Sequence, residues 1–225
     1  MTGAPVRIAP SLLSADFGRL ADAVAACERA GAEGIHFDVM DGRFVPNLTV
    51  GPIVLKALRG ATKLPFDVHL MIEEPLRTAE LYLDAGAARL AVHVEAEAHL
   101  HRFAQLVRAR GASPGVAINP GTSLLLLDEA VRFVDFILVM TVNPGWGGQS
   151  FLPGSVARVR ELSDLIRSRG VACEIAVDGG VSPGNAGALA AAGAGHLVAG
   201  SSVFGRGDVA GAVAALREAA AGLRA

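Results

Sequence analysis

The sequence has few of the residues that build disulfide frameworks and Schiff-base sites. Its two cysteines, Cys27 and Cys173, match no metal-binding spacing and predict free thiols in a reducing compartment. Lysine is equally scarce, because Lys56 and Lys63 are the only two in 225 residues. Neither follows a predicted strand, which argues against an aldolase, lyase or synthase that needs a lysine in its active site, and against a decarboxylase with a lysine between aspartates.

Charge and hydropathy exclude further classes of protein. The net charge is -2, so there is no general basic field and we expect no nucleic-acid partner. No apolar run reaches the ~20 residues that a membrane-spanning helix needs. Arg7 and Asp16 interrupt the stretch in which the apolar core of a signal peptide would lie. A nucleophile elbow, G-x-S-x-G, is missing too. We therefore expect a soluble, cytoplasmic protein without a membrane partner.

One pattern recurs along the whole chain. A short apolar run rich in β-branched residues is followed by a loop with Gly, Pro or Asn, and then by an amphipathic segment rich in Ala and Leu. The predicted strands are residues 6–12, 34–41, 65–71, 89–95, 114–120, 134–142, 173–180 and 195–202. The predicted helices are residues 16–31, 52–60, 75–86, 98–111, 123–131, 154–170, 184–193 and 208–222.

Eight such units without a linker predict one α/β domain, residues 1–225, folded as a single (β/α)₈ TIM barrel. A doubly wound sheet is the alternative. That fold usually carries a glycine-rich dinucleotide loop after an early strand, and "VRIAPSLLS" is not such a loop.

Polar residues stand at the predicted carboxyl ends of the strands, where TIM barrels place their chemistry. In "GIHFDVMDGRFVPN", residues 34–47, His36 and Asp38 share one face of strand two. His69 belongs to strand three and Asp178 to strand seven, so all four should meet at one end of the barrel. Two imidazoles and two carboxylates suit one divalent metal per subunit, Zn²⁺ first and Fe²⁺, Mn²⁺ or Co²⁺ otherwise. Hydrogen-bonded core histidines are the alternative. The other polar strand ends are at Ser11, Glu95, Asn119 and Asn143.

Glycine-rich loops follow strands six, seven and eight: "NPGWGGQSF" (143–151), "DGGVSPGN" (178–185) and "AGSSVFG" (199–205). Glycine lets backbone N–H groups approach a phosphate closely, and barrels often bind phosphate after strands seven and eight. Because no lysine is expected nearby, we expect amides to hold the phosphate. Met40, Met71 and Met140 also stand at strand ends. They could be gap-filling core residues or an apolar lining that keeps water from a reacting carbon.

The two aspartates indicate a reaction. Asp38 and Asp178 would approach a substrate from opposite walls, which suits moving a proton off one face of a carbon and onto the other. Such a carbon must lie beside a carbonyl, and the metal would stabilise the resulting enediolate. The residues therefore predict a metal-assisted epimerase or isomerase of a phosphorylated keto-sugar.

At these same residues the sequence resembles the ribulose-phosphate 3-epimerase family, over nearly its whole length. The matching stretches are "APSLLSADF", "HFDVMDGRFVPNLTVGP", "DVHLMIEEP", "VNPGWGGQSF", "VDGGV" and "AGSSVF". The resemblance implies C3 epimerisation between D-ribulose 5-phosphate and D-xylulose 5-phosphate, with Asp38 as proton acceptor and Asp178 as proton donor. It also implies zinc or iron as the metal and a homo-oligomer, either dimer or hexamer.

The resemblance assigns further roles by position. The implied metal ligands are His36, Asp38, His69 and Asp178. The implied substrate-binding residues are Ser11, His69, Gly145, Trp146, Gly147, Gly148, Asp178, Gly179, Gly180, Gly200 and Ser201. The residues implied to line the intermediate are Met40, Met71 and Met140.

Three positions depart from the family pattern. Trp146 stands where many relatives have phenylalanine, Thr141 where many have serine, and Ala176 where an acidic residue is expected. The substrate preference therefore stays open, and an epimerase of another ketose phosphate such as D-allulose 6-phosphate is one alternative. A barrel that senses a sugar phosphate without turnover is another, although the intact pair of aspartates argues against it.

Overall fold

Eight parallel strands form a barrel in the computed structural model, which describes residues 5–222. The sheet order is β1-β8-β7-β6-β5-β4-β3-β2, and a parallel bridge between Ser11 and His36 joins the two ends. This closed order confirms the predicted TIM barrel and excludes the doubly wound sheet. The strands are β1 Arg7–Pro10, β2 Ile35–Met40, β3 Phe66–Met71, β4 Ala87–His93, β5 Ser113–Ile118, β6 Phe136–Met140, β7 Glu174–Asp178 and β8 His196–Ala199.

Helices connect the strands around the outside. The α-helices are α1 Leu20–Arg29, α2 Pro52–Leu58, α3 Ala79–Asp84, α4 Leu100–Ala109, α5 Ser155–Arg169, α6 Pro183–Ala192, α7 Ser201–Phe204 and α8 Val209–Ala221. The 3₁₀ helices are Leu12–Ser14, Phe17–Arg19, Arg59–Ala61, Pro75–Arg77, Leu124–Leu127 and Ala130–Arg132. Over residues 5–222, none of these helices combines the length and the apolar character that crossing a bilayer requires.

The structure corrects the prediction of a helix at residues 123–131. The segment forms two 3₁₀ helices, Leu124–Leu127 and Ala130–Arg132, instead of one α-helix. The Ser123 hydroxyl accepts the Leu125 amide at the start of the first one. So short a connector cannot offset the cost of nucleating an α-helix, and 3₁₀ turns commonly fill such places. The predicted strand 195–202 is also too long, because it ends at Ala199 and α7 follows.

The alternation predicted for strand two is observed. Ile35, Phe37 and Val39 point outward and pack in the layer between barrel and helices, whereas Asp38 and Met40 line the cleft at the barrel's carboxyl end. Burial of such outward faces is the main stabilising term, about 25 cal/mol per Å² of apolar surface. The interior of the barrel is filled by a smaller apolar cluster, made of Ala91, Ala117, Phe136, Leu138, Met140, Ala176 and Val198.

Charged side chains fill the amino-terminal end of the barrel. The Arg89 guanidinium lies 3.8 Å above the Phe136 ring and donates to Glu174 Oε2 at 2.8 Å. Its Nε is 3.6 Å from Asp67 Oδ1. The pairing offsets part of the cost of burying these charges. It also places the Asp67 carboxylate beneath the candidate site, 3.4 Å from His36 Nδ1.

Gly115 on β5 is required by the packing of Phe136. A Cβ at this position would lie 2.2 to 2.5 Å from three carbons of the fully buried ring. We expect Gly115→Ala to lower the free energy of unfolding by about 3 kcal/mol, the upper end for overpacked cores. Urea denaturation measures the change. Gly121→Ala is the control, since a Cβ there meets nothing within 4 Å. Equal stability of the two variants would contradict this account.

Candidate active site

A cleft opens at the carboxyl ends of the strands. Loops after β1, β6, β7 and β8 form its walls, and β2 and β3 contribute from one side. The predicted site residues that line it are Ser11, Asp38, Met40, Met71, Met140, Gly145, Trp146, Gly147, Gly148, Asp178, Gly179, Gly180, Gly200 and Ser201. His36 and His69 are fully buried beside this lining.

The structure brings the four predicted metal ligands together. Asp38 on β2 pairs in register with His69 on β3. One ligand atom from each of His36, Asp38, His69 and Asp178 lies within 4.8 Å of all the others. Asp38 Oδ1 is 3.3 Å from His36 Nε2 and 3.4 Å from His69 Nδ1, and Asp178 Oδ2 is 3.8 Å from the same His69 nitrogen.

The donor atoms of this cluster fit a divalent cation. His36 Nε2 and His69 Nδ1 are buried and find no hydrogen-bond partner within residues 5–222. Buried polar atoms are rarely left unpaired in folded proteins, so each such nitrogen needs an explanation. A cation held by two imidazole nitrogens and two carboxylates would be the missing partner, and this ligand set suits Zn²⁺ and other first-row metals.

The two aspartates have opposite protonation behaviour. Burial alone would raise the pKa of Asp38, but His36 and His69 lower that pKa well below its usual range. At Asp178, burial and then the charge of Asp38 raise the pKa to about 7. In the metal-free protein Asp38 is therefore ionised at neutral pH, whereas Asp178 is about half protonated.

Ser11 orients Asp38. Its hydroxyl donates to Asp38 Oδ2 at 2.5 Å and accepts the Leu13 amide at 3.2 Å. The bond engages one carboxylate oxygen and leaves Oδ1 facing the two histidines. Ser11 reaches this position because it continues β1 and bridges to His36 on β2.

The three methionines are buried core residues that also line the cleft. Met40 and Met71 pack with Val45 in a small apolar cluster, and Met140 belongs to the barrel interior. All three are buried and all three line the cleft. They are core residues whose exposed atoms form an apolar floor beside the carboxylates.

The glycines after β7 fit tightly against the loop after β6. Gly179 has φ +117°, and a Cβ there would lie 2.5 Å from Val142 Cγ2. Gly180 has φ +63°, and a Cβ there would lie 2.7 Å from the Phe151 amide nitrogen. Both conformations and both contacts favour glycine. Among the residues the structure describes, no Lys or Arg lines the cleft.

Sequence reasoning missed several residues of the site. Ser14 lines the cleft between two glycine loops. The Asn47 amide donates to Gly145 O at 2.8 Å, and Gln149 Nε2 donates to Asn143 O at 2.7 Å and Trp146 O at 2.9 Å. These bonds hold the loop after β6. The signal was available, because polar amides flank glycines or prolines in "VPN" and "GGQ".

Three predicted polar strand ends do not join the cleft. Glu95, Asn119 and Asn143 are absent from its lining. Glu95 Oε1 accepts the Asn119 amide at 2.9 Å and the Thr122 hydroxyl at 2.5 Å, outside the cleft. The expected convergence of these side chains on one site is therefore wrong for these three.

Comparison with known proteins identifies the family. The model of the ribulose-phosphate 3 epimerase family matches residues 7–204. The chloroplastic ribulose-5-phosphate-3-epimerase of Arabidopsis thaliana is 48% identical over 212 residues, covering 93% of this chain and 75% of that protein. The ribulose-phosphate 3-epimerase of Bacillus subtilis is 45% identical over 213 residues, covering 94% of this chain and 98% of that protein.

Among solved structures, a 3-hexulose-6-phosphate synthase superposes with a TM-score of 0.67 at 21% identity, covering 97% of this chain and 100% of its own. That likeness bears on the fold alone. The matched span and the close relatives together decide the family: the chain belongs to the ribulose-phosphate 3-epimerase family of isomerases.

Proposed function

We propose that the chain interconverts D-ribulose 5-phosphate and D-xylulose 5-phosphate by metal-assisted proton transfer at C3. One observation carries the mechanism: Asp38 and Asp178 lie close together at one cleft, on strands that two other strands separate around the barrel. The names of the relatives supply ribulose 5-phosphate and the reacting carbon, and D-xylulose 5-phosphate is the C3 epimer of that sugar.

The proton transfer follows from the positions of the two carboxyls. Asp38 is ionised and removes the proton from C3, which leaves an enediolate. Asp178 returns a proton to the opposite face, because β1 and β8 separate β7 from β2 around the barrel. In the reverse direction the two exchange roles. Groups of this kind contribute about 10²–10⁴-fold to a rate.

His36, Asp38, His69 and Asp178 would hold the cation, for which we propose Zn²⁺. When bound there, it supplies the positive charge that balances the enediolate. The buried methionines exclude water from the reacting carbon. We assign the phosphate to the glycine loops after β6, β7 and β8, whose backbone amides can approach it closely.

The function is tested by a direct assay in D₂O. The purified protein is incubated with ribulose 5-phosphate, allulose 6-phosphate and a non-phosphorylated ketose, before and after treatment with a chelator. We expect deuterium at C3 of ribulose 5-phosphate and little turnover of the others. Preference for allulose 6-phosphate would assign a different ketose phosphate, and no exchange with any sugar would indicate a sensor.

Chelation should abolish the activity and leave the fold intact, because a barrel of this size does not need a metal to bury its core. Circular dichroism of the chelated protein checks the fold. Full activity in a protein shown to contain no metal would contradict the metal-assisted mechanism. Unfolding on chelation would show that the metal has a structural role.

A further inference from the structure

We infer that His93 and Glu95 form a hydrogen-bonded relay that fixes the tautomer of His69 and thereby makes His69 Nδ1 a metal ligand. The inference rests on the proposed metal site and extends it to two positioning residues outside the ligand set. Neither residue touches the cleft.

The relay begins with a contact between two imidazoles. His93 is the last residue of β4, next to β3, and its Nε2 lies 2.8 Å from His69 Nε2. The ring centroids are 5.0 Å apart and the ring planes differ by 26°. The rings therefore meet edge to edge through these nitrogens. Both side chains are fully buried, and the Phe44 ring lies against His93 at 4.6 Å between centroids.

Glu95 sets the direction of every bond in the relay. Its Oε1 accepts the Asn119 amide and the Thr122 hydroxyl, and its Oε2 lies 3.1 Å from His93 Nδ1. These bonds, acting against burial, lower the pKa of Glu95 to about 2. An ionised carboxylate can only accept, so His93 Nδ1 must carry the proton that it donates.

The remaining protons follow in order. The two facing Nε2 atoms, 2.8 Å apart, can share only one proton. As a neutral imidazole, His93 has its one N–H at Nδ1, where Glu95 accepts it. His93 Nε2 must then accept, and the partner at 2.8 Å, His69 Nε2, must donate. The proton of neutral His69 is therefore on Nε2, and Nδ1 keeps its lone pair. That atom is the one left unpaired beside Asp38 Oδ1.

His36 is held in a related way. Its Nδ1 lies 3.4 Å from the Asp67 carboxylate while its Nε2 faces the ligand cluster. Each histidine of the site thus has one ring nitrogen in contact with an outer partner, Asp67 or His93, and the other ring nitrogen facing the proposed cation site. Outer partners of this type typically change metal affinity by about 10–100-fold.

Two substitutions at one position separate the relay from simple packing. His93→Gln keeps an acceptor near the position of Nε2, whereas His93→Leu has similar bulk and no acceptor. Cobalt affinity is measured by visible absorption, in competition with a chelator, and the metal-free variants are compared by thermal unfolding. We expect His93→Leu to bind Co²⁺ about 10–100-fold more weakly and His93→Gln to stay within about threefold of the unsubstituted protein.

Glu95→Ala provides a second variant at a partly exposed position. It removes the acceptor for His93 Nδ1, frees both tautomers, and should weaken Co²⁺ binding at least about tenfold. Unchanged affinity in His93→Leu and Glu95→Ala would overturn the relay. Equal weakening in His93→Leu and His93→Gln would assign His93 to packing alone and would also overturn it. If the unsubstituted protein bound no cobalt, this result would contradict the proposed metal site itself.

Discussion

Replacing Asp38 or Asp178 with asparagine is expected to lower the epimerisation rate by about 10⁴-fold, the upper end of what one acid–base group contributes. Each substitution keeps the shape of the side chain and removes its ability to carry a proton. The Ser11 hydroxyl can still donate to the amide oxygen at position 38, so the local geometry should persist. Steady-state rates in both directions are the measurement.

Two controls make the result specific. Asp22→Asn changes an exposed aspartate on α1 that pairs with Arg19, and it should leave the rate unchanged. Bound metal is measured in every variant, because Asp38 and Asp178 are also proposed ligands. A variant that keeps its metal and loses its turnover separates proton transfer from metal binding. A variant that retains both metal and rate would exclude that carboxyl as an acid–base group.

The strands were predictable because each combines apolar β-branched residues with a following loop signal. All eight appear within or near their predicted bounds. The errors lie in the connections. At 123–131, the run of four leucines predicts an apolar helix, yet Leu125 and Leu126 are exposed and only Leu127 is buried. The conformation of such a short connection depends on the distance that it must span between β5 and β6. The local sequence carries no information on that distance.

The candidate site was predictable at its centre and not at its edge. The spacing of His36 and Asp38 and the convergence of the strand ends were sufficient to predict that the four ligand residues lie together. The structure places them together. His93 and Glu95 repeat the same spacing of two on β4 and beyond its end, but only Glu95 was singled out.

The partners behind the ligands could not be derived in this way. The contact between His93 and His69 depends on how β4 and β3 are staggered, and a register irregularity occurs between Phe66 and Asp67. Side-chain contacts that depend on the register between two strands are set by the tertiary structure and cannot be read from either strand alone. Hydrophobic patterns fix which face a residue occupies, but not the one neighbour that it meets there.

Metal binding should strengthen steeply as pH rises toward neutrality. In the metal-free protein, burial and Asp38 raise the pKa of Asp178 to about 7. Burial alone would lower the pKa of His36, but Asp38 and Asp67 raise it well above its usual value. Both groups therefore hold protons below pH 7, and a cation must displace both of them. For His69, burial lowers the pKa, so this group contributes fewer protons than His36.

The direction and steepness of the pH dependence of metal binding follow from this proton count. With two protons released, the association constant for Co²⁺ rises about 100-fold per pH unit between about pH 5.5 and 6.5. Above about pH 7, Asp178 is already ionised and the slope falls to about tenfold per unit. Calorimetric titrations in two buffers of different ionisation enthalpy count the protons. Asp178→Asn should release one proton fewer at pH 6, because only His36 then titrates. An association constant that is flat from pH 5.5 to 7 would show that neither group is protonated in the metal-free protein and would contradict the proton count.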